Sequence, residues 1–292
     1  MELETIDTRD YRAVGETVFA LGNAVYPDLL SEQLIPWFDR VAQYFGGELP
    51  GYQAMDTKYH DLDHTMQATL CFARLVTARH RVHPPVEPVL QQRDFIVGVV
   101  ATLFHDLGYL KAESDRNGTG AKFTHLHEAR SATMAEMCLQ RFSWPLPDIV
   151  AVRHLIQCTG PKARIDRIPF LSDAEQVIGL AVCTADYLGQ MSDPRYLQKL
   201  QGLFLEFEEC DDYRGIPKQQ RQFQSAEEML QKTPAFWQYH VLPKLNGVCQ
   251  GLHKFLCDPY PDGQNPYIVA ILRHLRSIPN TKTDSVSCQQ VG

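Results

Sequence analysis

Six residues of metal-binding type recur along the middle of the chain: His64, the neighbours His105 and Asp106, His127, His154 and Asp186. Imidazole nitrogen and carboxylate oxygen together suit hard or borderline divalent cations. His60 precedes His64 by four residues, so a helix would set both on one face, one turn apart. Each group interrupts an otherwise apolar pattern: the HD pair in VVATLFHDLGYL, His154 in AVRHLI, Asp186 in CTADYLG. Such groups are expensive to bury unless they are bonded to one another or to a metal. Taken singly, each of these histidines reads better as a buried or surface structural residue, and Asp186 alone could be a helix-terminal or salt-bridged group. The set reads differently, because residues on separate helices of a bundle can converge on one centre.

The natural bridge is Asp106, whose two oxygens can face two ions. His64, His105 and Asp186 would complete one metal site, and His127 with His154 the other. Two divalent ions, Mn, Fe or Mg, about 3.5 to 4 Å apart would activate a water and absorb charge on a phosphoryl group.

The elements that must position these residues are helical. From Leu30 to Phe45 the apolar residues Leu34, Ile35, Phe38, Val41, Ala42 and Phe45 form one stripe, ended by GGELPG. A second helix is expected from about Asp63 to Ala78, stopped by HPP at 83–85, and a third from Phe95 to Leu107, ended by Gly108 and carrying the HD pair. After ESDRNGTG the pattern restarts near His125 and runs to Cys138, placing His127 within that helix. WPLP at 144–147 then precedes a short helix through Ile156. Ser172 with Glu175 forms a capping box opening a helix that continues through Asp186 and Tyr187. Further helices are expected in LQKLQGLFLEFEECDDY, SAEEMLQKTPAFWQYHVLPKL and YIVAILRHLRSI. The acidic run from Glu206 to Asp212 reads as solvated helix surface. With no alternating series of β-branched strands, the expectation is an all-α chain, residues 1–280 forming one catalytic domain with its core at about 55–190, and 281–292 a flexible tail.

Composition limits the rest. The 292 residues carry a formal charge of −7, and 44% are hydrophobic, which suits a folded globular chain and excludes a basic surface for broad nucleic-acid binding. No apolar stretch reaches the length of a membrane span, and the acidic N-terminus MELETIDTRDYR is unlike a secretory signal, so a cytoplasmic location is expected. The eight cysteines contain no CxxC pair and read as buried free thiols. The sequence leaves a homo-oligomer open.

The ordered set His64, His105-Asp106, His127, His154 and Asp186, above all FHDLGY and TADYLG, resembles the HD-domain metal-dependent phosphohydrolase superfamily over roughly residues 55–190. YHDLDHTMQ is also similar to the YHN-and-His motif of cyclic-nucleotide phosphodiesterases, with Asp61 where that motif has Asn. The resemblance implies an all-helical HD bundle with additional C-terminal helices, His64 as a metal ligand, and His60 as the proton donor to the leaving oxygen. It implies hydrolysis of a nucleotide phosphomonoester or cyclic phosphodiester, hence a small, nucleotide-like phosphorylated partner. The chain departs from the phosphodiesterase pattern in continuing the HD pair as LGYL. Its two intermediate histidines resemble fuller dinuclear HD centres, which include di-iron oxygenases acting on small polar substrates. A metal-stabilised helical ligand-binding module is the non-enzymatic alternative.

Lys111 and Arg130 are the expected phosphate-orienting groups: Lys111 closely follows the HD helix and Arg130 lies three residues beyond His127. In THLHEAR, His125 is expected in a loop, and Glu128 could fix the tautomer of a ligating imidazole. The GTG at 118–120 lacks the sequence of a phosphate-binding loop and reads as a flexible active-site lid.

Overall fold

A computed structural model describes residues 6–160 and 162–279. These form an all-α chain: α1 (Tyr11–Asn23), α2 (Ile35–Gly46), α3 (Leu62–His80), α4 (Gln92–Phe104), α5 (His127–Arg141), α6 (Leu146–Ile156), α7 (Asp173–Ser192), α8 (Tyr196–Tyr213), α9 (Ala226–Phe236), α10 (Leu242–Asn246) and α11 (Pro266–Ser277). Among the described residues extended pairing is limited to two isolated bridges, Tyr52 with Ala112 and Asp258 with Gln264. No helix among them is long and apolar enough to cross a membrane. The expected tail at 281–292 lies outside the described residues.

Helices α3 and α7 pack against each other at the centre. Of the 19 residues in α3 and 20 in α7, 15 in each are buried, so neither helix keeps the polar face of a surface helix. Around this pair, α1 and α4 pack on α3, and α4, α6 and α11 pack on α7, while α5 lies against α6. Residues from α3, α7 and the end of α4 therefore meet in the interior.

The helix ends have local causes. Asp61 caps α3 by accepting the His64 N–H at 2.8 Å, which gives a physical role to the carboxylate standing where the phosphodiesterase motif has Asn. Ser172 caps α7 as its spacing predicts, its hydroxyl accepting the Glu175 N–H at 3.1 Å. Helix α4 ends at Phe104, so the HD pair lies just beyond it: His105 is its C-cap, and Asp106 has φ −107° and ψ 3°. The apolar spacing predicts no helix in 11–23. Two of the four buried residues of α1, Gly15 and Gly22, are glycines, which mutes its apolar period. After α9 the backbone widens into a π-helical turn at Trp237–Val241 before α10.

All seven described cysteines are free and six are buried, with Cys257 partly exposed. Cys288 lies outside the described residues.

Candidate metal centre

Four atoms from three elements converge at the inner end of the α3–α7 pair. His64 Nε2 lies 3.2 Å from Asp106 Oδ2, 3.4 Å from Asp186 Oδ1 and 3.4 Å from His105 Nε2. His105 Nε2 is 3.2 Å from Asp106 Oδ2 and 3.7 Å from Asp186 Oδ1. All four residues are buried. His64, His105 and Asp186 form a group whose ligand atoms all lie within 4.8 Å of one another.

The tautomer of His105 decides how these atoms interact. Its Nδ1 is 2.6 Å from the Thr102 carbonyl, which can only accept, so Nδ1 carries the hydrogen and in the neutral form of the ring Nε2 turns a bare lone pair toward the cluster. Asp106 Oδ2, fully buried, accepts no hydrogen bond from the protein. Lone pairs and carboxylate charge facing one another at 3.2–3.7 Å repel unless a cation or shared protons stand among them. Protons are the protein's own remedy. Burial opposes the charged form of His64, but the neighbouring carboxylates of Asp106 and Asp186 outweigh it and push its pKa up to about 10. Burial likewise disfavours ionised Asp106, yet the His105 and His60 rings hold it well below the usual carboxylate range. Two imidazoles and two carboxylates gathered this way fit a divalent cation.

The other oxygen of Asp106 faces His127. His127 Nε2 lies 3.7 Å from Asp106 Oδ1, and its Nδ1 is 2.7 Å from the Thr124 carbonyl, again leaving Nε2 as the free donor atom. His127 is the first residue of α5 and does not lie a turn inside it, as the sequence suggested. That position is set by Gly108: a Cβ there would stand 2.0 Å from the His127 carbonyl oxygen, so only glycine lets the HD turn approach the start of α5 this closely. His154, on α6, is oriented by Glu175, whose Oε1 is 2.7 Å from its Nδ1. No contact between His154 and Asp106 or His127 joins it to the cluster.

His60 does not share a helix with His64. It stands before the Asp61 cap, and its ring lies 5.6 Å from that of His64, edge to face. Glu206 on α8 fixes it, with Oε2 2.5 Å from His60 Nδ1 and Oε1 accepting the Tyr59 N–H at 2.6 Å. Burial works against the charged His60 ring, but Glu206 and Asp106 prevail and raise its pKa. Tyr109 stacks on both site histidines, on His60 at 4.5 Å and on His127 at 4.6 Å, and the two imidazole rings themselves lie 6.0 Å apart. Neither Glu206 nor Tyr109 was singled out from the sequence. Glu206, at 2% exposure, also corrects the reading of its acidic run as solvated surface. Within the same run, Glu209 accepts the Thr119 N–H at 2.5 Å and its hydroxyl at 2.6 Å.

The two expected phosphate-orienting cations are committed elsewhere. The Lys111 ammonium, buried, lies 2.8 Å from Asp56 Oδ2 and donates to the Gly118 carbonyl at 2.6 Å. Arg130 donates to the carbonyls of Gly108 and Leu110 at 2.6 and 2.7 Å, with its guanidinium 3.7 Å from the centre of the Phe123 ring. Both brace the backbone around the HD turn, Lys111 through Asp56 and the Gly118 carbonyl and Arg130 through the carbonyls of Gly108 and Leu110. The GTG segment is tied down too: besides the Glu209 bonds, the Gly120 N–H donates to Asp56 at 2.7 Å. His125 is exposed ahead of α5, as expected, and Glu128 Oε2 stands 3.5 Å from His127 Nδ1.

No curated protein matches the chain. One family model, described as Npun_R2479-like, matches residues 47–255, a span that contains every residue of this centre from His60 to Glu206. The chain belongs to the Npun_R2479-like family.

Proposed function

We propose that the protein is a metal-dependent phosphohydrolase of the HD type, cleaving a small, nucleotide-like phosphomonoester or cyclic phosphodiester. The observation that carries this reading is the split presentation of Asp106, with Oδ2 toward His64 and His105 and Oδ1 toward His127. His64, His105, Asp106 and Asp186 would hold one divalent ion, Mn, Fe or Mg; Asp106 with His127 would hold a second. Such ions supply an activated water and neutralise charge developing on phosphoryl oxygens. The chain's own contribution is the proton. Glu206 on Nδ1 of His60 stabilises the imidazolium, leaving Nε2–H to donate to the departing oxygen, while the Tyr109 stack fixes the ring plane. The free thiols suit a reducing cytoplasm.

Protein reconstituted with Mn, Mg, Fe or Co should release phosphate from a nucleotide monoester or open a cyclic nucleotide. Silence across that panel, with substrate-dependent dioxygen uptake by the iron-loaded protein, would replace this reading with a di-iron oxygenase. Ligand binding without any turnover would leave a metal-stabilised binding module.

A further inference from the structure

A chain of contacts runs from His127 of the cluster to Tyr187, the neighbour of Asp186. His127 Nδ1 is 3.5 Å from Glu128 Oε2. Glu128 packs on Gly160, which has φ +81° and where a Cβ would meet Oε1 at 2.1 Å. The Gly160 carbonyl accepts from Lys244 Nζ at 3.0 Å, and Lys244 Nζ lies 3.5 Å from the hydroxyl of Tyr187, the residue after Asp186. Lys244 comes from α10, so a late helix contributes the cation on this rim.

Three donor-capable groups meet there. The Tyr187 hydroxyl stands 3.5 Å from both Lys244 Nζ and His240 Nε2. Contacts of 3.5 Å are long for hydrogen bonds, so the three groups hold one another weakly. Lys244 is half-buried and pairs with no carboxylate among the described residues, unlike Lys111, Lys122 and Lys199. A half-buried ammonium held only by a carbonyl and a phenol is poised for an anionic oxygen.

We propose that Lys244, Tyr187 and His240 form an anion subsite on the rim of the centre, selecting substrates that carry a second phosphate besides the one cleaved. The proposal deepens the phosphohydrolase reading and rests on it for the word substrate, but the subsite can be tested without turnover.

The experiment is calorimetric titration of the Mn-loaded full chain with adenosine 3′,5′-bisphosphate and with AMP, for native protein, Lys244→Met, Lys244→Arg and the exposed control Lys218→Met. Lys244→Met should weaken the bisphosphate by about tenfold or more, the loss of one charge-assisted hydrogen bond, and leave AMP within about twofold. Lys244→Arg should recover part of the loss, and Lys218→Met should match native protein. Equal effects on both nucleotides, or none on either, would overturn the subsite. If no phosphate ester is ever turned over but the Lys244-dependent discrimination persists, hydrolysis fails and the subsite stands. Turnover without discrimination does the reverse. A circular-dichroism melt of each variant confirms that the comparison is between folded proteins.

Discussion

Asp106 and His127 face each other across 3.7 Å through Oδ1 and Nε2, while the second oxygen of Asp106 is turned toward His64 and His105. One carboxylate thus belongs to two groups of imidazoles. Replacing it with Asn removes the shared charge from both, so Asp106→Asn should lose metal and turnover together, whereas His127→Ala should keep part of the metal. Elemental analysis after dialysis reads the difference, and equal metal content in the two variants would contradict a bridging role.

Metal should also stabilise the fold, because its ligands come together only in the folded chain. With free Mn at 100 times its dissociation constant the gain is about 2.7 kcal/mol. A denaturant titration with and without Mn should show it for native protein and lose it for Asp186→Asn.

His60→Ala should lower kcat by about 100-fold or more, the usual range for a lost general acid, with metal content unchanged. Glu206→Gln should fall between that variant and native protein, because the ring stays in place but its charge loses its partner. Single-turnover rates together with metal content separate this outcome from simple misfolding.

Gly108→Ala tests the packing of the HD turn. Its new Cβ would sit 2.0 Å from the His127 carbonyl, with the Ser131 N–H 2.8 Å away. These are backbone atoms that cannot swing aside, so a loss of about 1–3 kcal/mol is expected in a denaturant titration.

Lys111→Met should cost stability and spare chemistry. Asp56 is partly exposed, so the loss is expected at about 1–3 kcal/mol, with kcat/KM of the folded fraction within about threefold of native. A collapse of kcat/KM without loss of stability would return Lys111 to the phosphate.

Much of the centre is legible in the sequence because metal ligands must be of few residue types and must break apolar helices. His64, His105, Asp106 and Asp186 satisfy both conditions, and they meet. Their supports do not advertise themselves. Glu206 lies in an acidic run whose other members include exposed Asp212, and no spacing rule distinguishes the one carboxylate that turns inward. Tyr109 reads as one more aromatic in an apolar segment; its stacking on two imidazoles is a tertiary fact. Lys111 and Arg130 mislead in the opposite sense, since closeness in sequence to a ligand does not fix where a long side chain finds its acceptors. The same limit applies to helix boundaries: the spacing of His60 and His64 suits one helix, but the Asp61 cap starts that helix later.

The pairing of His60 with Glu206 spans 146 residues. At a synthesis rate of about 5–20 residues per second, His60 leaves the ribosome roughly 7–30 s before its partner carboxylate exists. Asp186 is translated before Glu206 as well, so on the proposed reading the ligand set of the first ion would be synthesised before the carboxylate that anchors the proton donor. Assembly of the proposed centre would then have a built-in order, with the His60 anchor supplied only when α8 has been made.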